Sequence, residues 1–437
     1  MGAPAPDAGP RPASEGRRPA AVAFAAAILG LLLVGLALAA RLVAELAVGP
    51  AVDGHHDVLA FWAAGRLILD GRPDALYDAA AVTALQRTVI PEPIGMNGYM
   101  PFINPPPAAV AFAPLAALPV TAGRALWAAL SAALAIGAGL WIARDLPARD
   151  RVIGAALIAT SFPVYHALAE GQWSIVLLGA GLVAIAAARR GSWLVAGVAL
   201  AAFWLKPQFI VLPLLALVIG RHWRAAGAAV VAGAAVALVL LPFTGLSPYG
   251  TYATYLVDVV TSHFTGAGET GAAVWQGDLA STEGLNGLLV GWFGQGAVGL
   301  VNVLWALGVV AVLVAYGLAA RRVRPGLRSP EGRAMLAAGI VVILLVNPNQ
   351  FAQDCVLVYL ALDVLAPIRP AWRLPALVAA VAIADLTFLD QGAPVLHLFP
   401  IALLLGLAWA CGRALTGGRV GSPVPDGTLP ATGPRAG

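Results

Sequence analysis

The sequence predicts an all-α integral membrane protein, a bundle of about twelve (10–13) transmembrane helices. Apolar residues make up 60% of the chain and charged residues only 11%, whereas a soluble domain carries roughly 25% charged residues. The 437 residues contain repeated apolar runs near the length of about 20 residues that crosses a bilayer. These runs are continuous and do not alternate with polar residues, which argues against a β-barrel.

The predicted spans follow the apolar runs in chain order. The first run, residues 20–44, is longer than the core of a signal peptide and is interpreted as the first span. Further spans are predicted at residues 121–143, 152–168, 173–188, 192–205, 207–220, 225–242, 297–320, 334–347, 351–367, 374–388 and 394–412.

Two long polar stretches are predicted as outer loops that carry short interfacial helices. The first, residues 45–120, contains a predicted surface helix at 75–86 and a proline-rich turn at 98–107. It also contains an apolar piece at 108–119 that is too short to cross the membrane and is interpreted as re-entrant or interfacial. The second loop, residues 243–295, is rich in Tyr, Thr and Gly.

The distribution of basic residues orients this layout. With the N-terminus inside, twelve alternating spans place all but six of the 26 basic residues on the inner side. The six exceptions are Arg41, Arg66, Arg72, Arg87, Arg124 and Lys206. Both termini then face the cytoplasm, and residues 1–19 and 414–437 are predicted as disordered tails of a membrane domain over 20–413. The scattered basic residues argue for loop anchoring and against nucleic-acid binding.

Polar residues at the ends of the apolar runs converge on the predicted outer face. They are Asp57, Glu170, Gln172, Lys206, Asn286, Asn349 and Asp390. A large outward-facing cavity walled by the two long loops follows from this arrangement.

The segment that begins the first loop contains Asp53, His55, His56 and Asp57. Two histidines and two aspartates could bind a metal, but adjacent histidines point apart, so no metal site is predicted. One partly desolvated carboxylate could instead serve as a general base. The alternative is that an aspartate caps the helix beginning near Val58. Capping is favoured for Asp53, and both roles stay open for Asp57.

Three further positions interrupt apolar sequence with polar side chains. Lys206 is the single lysine of the chain; it could snorkel, but an isolated cation at the outer face suits a phosphate oxyanion. Gln172 beside Trp173 either belongs to a tight turn or contacts sugar hydroxyls. Asp354 lies in a polar group that includes Asn349, where a carboxylate must face a cavity or a cationic partner.

An ordered set of motifs resembles the polyprenyl-phosphate-dependent membrane glycosyltransferases of family 87, which include phosphatidylinositol mannoside mannosyltransferases. The resemblance extends over about residues 50–365. The matching motifs are Asp57-x3-Phe61-Trp62-x2-Gly65, Gly71, Tyr77, Tyr99-x5-Pro105-Pro106, Gly171-Gln172, Gly197, Lys206-Pro207, Asn347-Pro348 and Asp354.

The resemblance implies a GT-C-like bundle, a polyprenyl-phosphate sugar donor, a lipid or glycan acceptor, and no cofactor. Asp57 matches the catalytic aspartate of the family, and Lys206 matches the lysine of its Lys-Pro motif. The sequence departs from the family at Phe61-Trp62, where a tyrosine commonly follows the aspartate, and at Trp173, where a small polar residue commonly follows Gly-Gln. Both departures concern the predicted sugar contacts.

Together these features predict transfer of a hexose, with mannose favoured, at the outer face of the plasma membrane. Inversion is expected if Asp57 acts as base and not as nucleophile. Lys206, Arg66 and His166 are the predicted donor phosphate ligands. The predicted substrate contacts are Trp62, Tyr99, Gln172, Asn286, Asn349 and Asp354.

A secondary transporter for a small polar solute is the alternative class, because twelve spans with both ends inside is also a transporter layout. Its ionisable sites would lie near the bilayer midplane, in two related halves. Here the ionisable residues fall at one face and no internal repeat is visible, which favours the transferase.

Overall fold

The computed structural model describes residues 17–48, 57–90, 100–265, 282–365, 372–392 and 397–416. The described chain is built from α-helices and short 3-10 helices, and no strand occurs in these ranges. The α-helices are α1 (Arg17–Val48), α2 (Val58–Leu69), α3 (Ala79–Gln86), α4 (Pro106–Ala116), α5 (Val120–Ile142), α6 (Ala148–Ala159), α7 (Phe162–Glu170), α8 (Ser174–Arg189), α9 (Trp193–Leu200), α10 (Val211–Ile219), α11 (Trp223–Thr244), α12 (Ser247–Thr265), α13 (Leu285–Phe293), α14 (Val298–Arg322), α15 (Pro330–Val346), α16 (Val358–Leu365), α17 (Arg373–Gly392) and α18 (Leu398–Thr416).

Five helices of the described chain are long and apolar enough to cross a membrane, namely α1, α5, α11, α14 and α18. The pair α6 and α7, bent by 49° at a short break, forms a sixth candidate span. Several other predicted spans correspond to shorter apolar helices such as α8 and α10. The apolar helix Pro207–Ile219, which contains α10, rises only about 20 Å, roughly two thirds of the hydrocarbon thickness. The all-helical membrane class is therefore confirmed, and the count of twelve spans stays a prediction.

Two prolines break helices near the predicted outer face. A 3-10 segment, Ala201–Leu205, extends α9 and ends at Lys206, directly before Pro207. Likewise α15 ends at Val346, Asn347 before Pro348 has extended backbone, and a second 3-10 segment follows at Ala352–Leu357. Proline disfavours helical backbone in the residue that precedes it. These breaks place irregular backbone, with its polar side chains, at the end of the bundle that holds the site.

Where the structure describes it, the first predicted loop contains the short α-helices α2, α3 and α4. Its apolar piece is α4, which packs closely on α2, since a Cβ added to Gly65 would lie 2.7 Å from the Ala116 Cβ. The predicted surface helix begins at Ala79, where the Asp78 side chain accepts backbone hydrogen bonds at 2.8 and 3.1 Å from the first turn of α3. This cap fixes the start of α3 four residues later than the hydrophobic pattern suggests.

The second predicted loop begins with the 19-residue helix α12 and ends with α13. The sharp turn between α11 and α12 is made by Gly245, which has a positive φ of 65°. The Tyr, Thr and Gly content that suggested a loop is therefore compatible with helix over the first part of this stretch.

The bundle has two chemically different ends. Helix α8 begins at Ser174, in the polar site described below, and ends at Arg189; its 16 residues rise about 24 Å. At the Arg189 end, the buried Asp363 carboxylate accepts hydrogen bonds from Arg144 at 2.6 Å and Arg189 at 2.7 Å. This end carries the residues predicted to face the cytoplasm.

Candidate active site

A glycine corner between α7 and α8 builds the first half of the site. Gly171 ends α7 in the left-handed conformation, with φ 71° and ψ 29°. The Gln172 N–H then donates to the Ala167 carbonyl at 2.9 Å, which closes the helix end in the manner of a Schellman motif. A Cβ on Gly171 would lie 2.8 Å from the Val58 Cβ. The corner therefore packs directly against the first residue of α2.

Asp57, which precedes α2, is held by both residues that flank this glycine. The Glu170 carboxylate accepts a hydrogen bond from the Asp57 backbone N–H at 3.0 Å, and the Gln172 side-chain amide donates to Asp57 Oδ2. Asp57 occupies the N-cap position, but its side chain accepts no capping hydrogen bond from α2. Of the two roles left open by the sequence, capping therefore does not account for this carboxylate.

We expect Gly171→Ala to destabilise the protein and to lower activity, because it places a Cβ against Val58 and disturbs the Gln172 contact with Asp57. Gly71→Ala is the matched control, since Gly71 also has a positive φ, of 67°, but a Cβ there meets nothing within 4 Å. The left-handed backbone costs about 1–2 kcal/mol in both variants, and overlap with Val58 adds about 1–3 kcal/mol in Gly171→Ala alone. Equal shifts in the thermal unfolding midpoint of the two variants would show that the close packing of Gly171 on α2 does not contribute to stability.

The second half of the site is a buried ion pair. The Lys206 ammonium lies 2.5 Å from Asp354 Oδ1, with side-chain exposures of 7% and 1%. Ser174, the first residue of α8, donates its hydroxyl to the same Asp354 oxygen and lies 3.4 Å from the Lys206 ammonium. Asp354 thus has the cationic partner that its place in an apolar run requires.

The N-terminus of α8 joins the two halves. Gln172 contacts Asp57, and Ser174 contacts both members of the Lys206–Asp354 pair. Residues two apart in a chain have Cα atoms at most about 7 Å apart. A carboxylate and a buried cation from distant parts of the sequence are therefore brought to one helix terminus, whose dipole favours negative charge.

The aromatic departures from the family pattern lie in the core beside this corner. Trp173 is 4% exposed and packs edge-to-face on Trp127 and Phe61, with ring centroids 4.8 and 6.0 Å apart. Trp62 is 8% exposed, and its indole N–H donates to the Leu118 carbonyl at 3.4 Å. The Phe61–Trp173 contact joins α2 to the start of α8. The predicted substrate contact of Trp62 stays a prediction.

The other two predicted phosphate ligands, Arg66 and His166, lie on α2 and α7. Arg66 forms an ion pair with Asp70 at 3.3 Å on a partly exposed face of α2, about 13 Å along the helix from Asp57. His166 lies one turn before Glu170 on the same face of α7 and packs edge-to-face on Phe162. No described contact joins either side chain to Lys206.

The segments that contain Asn286 and Asn349 pack against each other. Asn286 is fully buried in the first turn of α13, and a Cβ on Gly284 would lie 3.0 Å from the Asn347 carbonyl oxygen. The Asn349 N–H donates to the Asn347 side chain at 3.1 Å. The structure thus brings the helix start that carries Asn286 next to the segment that leads to Asp354.

A buried carboxyl pair adjoins this region and was not predicted as a pair. The Glu283 N–H donates to the Gln350 carbonyl, and Glu283 is 1% exposed. Burial, the charge of Asp390 and a hydrogen bond with Asp390 raise the pKa of Glu283 well above its usual range. The Asp390 carboxylate in turn accepts backbone hydrogen bonds at 2.7 and 2.9 Å at the start of α18. Burial and the neighbouring Asp390 therefore favour the protonated form of Glu283.

We expect Glu283→Gln to remove a decrease in the free energy of unfolding that the wild type shows as pH rises. Glu283 binds its proton more tightly in the folded chain, so its contribution favours folding fully below its unfolded pKa of about 4.3 and is lost as pH rises towards the folded pKa. The glutamine variant should therefore gain unfolding free energy relative to the wild type as pH increases. Parallel unfolding curves of the two proteins at every pH would contradict a protonated Glu283.

Several predicted residues lie outside the described ranges. They are Asp53, His55, His56 and Tyr99.

Two site residues were not predicted from the sequence. They are Ser174, which contacts both members of the ion pair, and Glu283. A third unpredicted feature is Arg124, which is 2% exposed and donates to the Ala169 carbonyl at 3.3 Å. Arg124 was one of the six basic residues on the predicted outer side, and this unusual position could have indicated that it is buried.

Fold and site together define a multi-pass, all-helical membrane protein with a polar site at one end of its bundle. The sequence profile of glycosyltransferase family 87 matches residues 102–348, more than half of the chain. The chain therefore belongs to glycosyltransferase family 87 and is a membrane glycosyltransferase. Comparison with curated proteins and with solved structures finds no match. The matched range includes Gln172, Ser174 and Lys206, and the predicted family is confirmed.

Proposed function

We propose that the protein transfers a hexose, with mannose favoured, from a polyprenyl-phosphate donor to a lipid or glycan acceptor, with inversion at the anomeric carbon. The observation that carries this proposal is the joining of Asp57 to the Lys206–Asp354 pair through Gln172 and Ser174. A base for the acceptor and a cation for the leaving phosphate are the two groups that such a transfer needs.

Asp57 is the proposed general base. Its backbone N–H is bound to Glu170 and its Oδ2 to Gln172, so the orientation of the carboxylate is fixed. In the reaction, the acceptor oxygen forms a bond to the anomeric carbon, the bond from that carbon to the phosphate oxygen breaks, and the hydroxyl proton passes to Asp57. A carboxylate that removes a proton and does not attack the sugar leads to inversion.

Lys206 is the proposed ligand of the departing phosphate. An ammonium group has three hydrogen-bond donors, and two of these are directed to Asp354 and Ser174. The third donor is proposed to bind a phosphate oxygen. The positive end of α8 adds to the attraction, because a helix N-terminus favours anions. Asp354 fixes the position of the ammonium group before the donor binds.

Buried acceptor atoms near the ion pair support a sugar as the transferred group. Within the described residues, oxygen atoms of Gln172, Gln350, Gln353 and Asp354 are buried without a hydrogen-bond partner. Each buried acceptor that lacks a hydrogen bond costs about 1–3 kcal/mol. The hydroxyl groups of a hexose are donors that could satisfy them, and an apolar substrate could not.

The active site is proposed to face the outer side of the plasma membrane, with both termini in the cytoplasm. The basic-residue distribution supports this orientation, because the arginine-rich end of α8 is the end opposite Asp57. A donor whose sugar is attached to a membrane lipid can be presented at that face without a nucleotide.

A donor panel tests the proposal with the purified full chain in lipid vesicles. Labelled mannose and glucose are offered as polyprenyl-phosphate donors and as nucleotide sugars, and the anomeric configuration of any product is determined by NMR. We expect transfer from polyprenyl-phosphate donors but not from nucleotide sugars, with inversion of the anomeric configuration. Transfer from nucleotide sugars, or retention of configuration, would contradict the proposed donor or the role of Asp57.

A further inference from the structure

A cavity lies at the end of the bundle opposite Asp57. Its volume is about 450 Å³, and it is bounded by the α8–α9 turn, the α10–α11 turn and the α14–α15 loop. Arg189, Arg324 and Arg328 line it, and no acidic residue is among the lining residues. Because α8 separates Arg189 from Ser174 by about 24 Å, this cavity is distinct from the Lys206 site.

The loop that supplies two of these arginines has a fixed backbone. The Gly326 N–H donates to the Gly332 carbonyl at 2.9 Å, and the Ser329 hydroxyl accepts from the Gly332 N–H at 2.9 Å. A Cβ on Gly332 would lie 3.1 Å from the Arg324 carbonyl oxygen. The loop is therefore closely packed on the first turn of α15, and it holds Arg324 and Arg328 at one cavity.

The facing wall is also built from fixed parts. The rings of Trp193 and His222 stack with centroids 3.6 Å apart. Arg221, directly before His222, has a φ of 58°, which is uncommon for a residue other than glycine. Such backbone persists where the surrounding structure holds it, and it is concentrated at functional sites. Burial lowers the pKa of His222, so the positive charge of the cavity comes from its arginines.

The charges at this cavity are unbalanced. Arg189 and Arg144 share the single carboxylate of Asp363, and no ion pair of Arg324 or Arg328 is present in the described chain. Guanidinium groups match phosphate oxygens with paired hydrogen bonds, and ligand cavities are typically about 300–1,000 Å³. We propose that this cavity binds a phosphate ester, either a soluble one or the headgroup of an anionic lipid.

The test compares two double variants of the full chain that remove the same charge. Arg324→Gln with Arg328→Gln changes the cavity, whereas Arg321→Gln with Arg322→Gln changes two exposed arginines at the end of α14 that do not line it. Each protein is placed in phosphatidylcholine nanodiscs and titrated with glycerol 1-phosphate and inorganic pyrophosphate. A second arm measures retention of phosphatidylglycerol by native mass spectrometry.

We expect the cavity variant to bind a phosphate probe about tenfold or more weakly and the control variant to bind as the wild type does. Binding of the soluble probes would identify a soluble phosphate ester as ligand, and retention of phosphatidylglycerol alone would identify a lipid headgroup. Equally weakened phosphate binding in both double variants would overturn the proposal, because the general positive charge of this face would then explain the binding. Absence of binding of every probe to the wild type would overturn it too.

Discussion

Asp57→Asn is expected to lower the turnover of sugar transfer by about 10²–10⁴-fold, the range of general base catalysis. Asparagine keeps the size of the side chain and an oxygen that can accept from Gln172, and the backbone N–H bound to Glu170 is unchanged. What is lost is the ability to take the acceptor proton. Turnover is measured with saturating donor and acceptor, so that weaker binding does not mimic a catalytic defect.

Asp53→Asn is the control for this experiment, because it removes a carboxylate from the same segment of the sequence. We expect it to keep most of the activity. Equal activity in the two variants would refute the assignment of Asp57 as base, and loss of activity in Asp53→Asn alone would transfer that role to Asp53.

Lys206→Met is expected to destabilise the protein by about 3–5 kcal/mol, because it leaves the Asp354 carboxylate buried without its cation. Asp354→Asn should have an effect of similar size through the unpaired ammonium group. Adding Asp354→Asn to Lys206→Met removes both charges and should recover most of the free energy of unfolding. Transfer should stay lost in the double variant, since no cation remains for the departing phosphate. Denaturant unfolding and transfer assays on the same four proteins measure the two effects.

The double variant separates a structural role from a catalytic one. A purely structural ion pair predicts that stability and transfer recover together in Lys206→Met/Asp354→Asn. Recovery of transfer would therefore refute the proposed role of Lys206, whatever the single variants do. Ser174→Ala, which keeps both charges but removes a hydrogen bond to Asp354, should lower transfer less than Lys206→Met.

Local sequence patterns predicted most helices but not the shape of the loops. Long apolar runs such as Val120–Ile142 and Trp223–Thr244 are helices close to their predicted bounds, because hydrophobicity and length suffice to define them. The stretch after Gly245 is a 19-residue helix despite its polar composition. Composition therefore predicts which residues avoid lipid but does not predict whether they form helix.

The members of the site could be predicted, but their partners could not. Lys206 and Asp354 each stood out as a charge in apolar sequence, yet they are 148 residues apart in the chain, and no local pattern pairs them. Ser174 is indistinguishable in sequence from a residue that starts a helix. The raised pKa of Glu283 results from its burial and from its packing beside Asp390, and both depend on the assembled bundle.

The transporter alternative has one structural observation in its favour. Helices broken near Lys206 and Asp354 resemble the discontinuous helices that form the sites of many transporters. Membership of a glycosyltransferase family favours transfer. The two classes differ in what happens to the substrate, since a transferase forms a product and a transporter moves its solute unchanged.

The most direct test of the central claim is transfer of labelled sugar from polyprenyl-phosphate donors to endogenous lipid or glycan acceptors in membranes. Membranes with wild-type protein and membranes with Asp57→Asn are compared at equal protein levels. We expect labelled product with the wild type and its loss with the variant. Absence of transfer with every donor, together with uptake of the solute into sealed vesicles, would contradict the transferase and support the transporter.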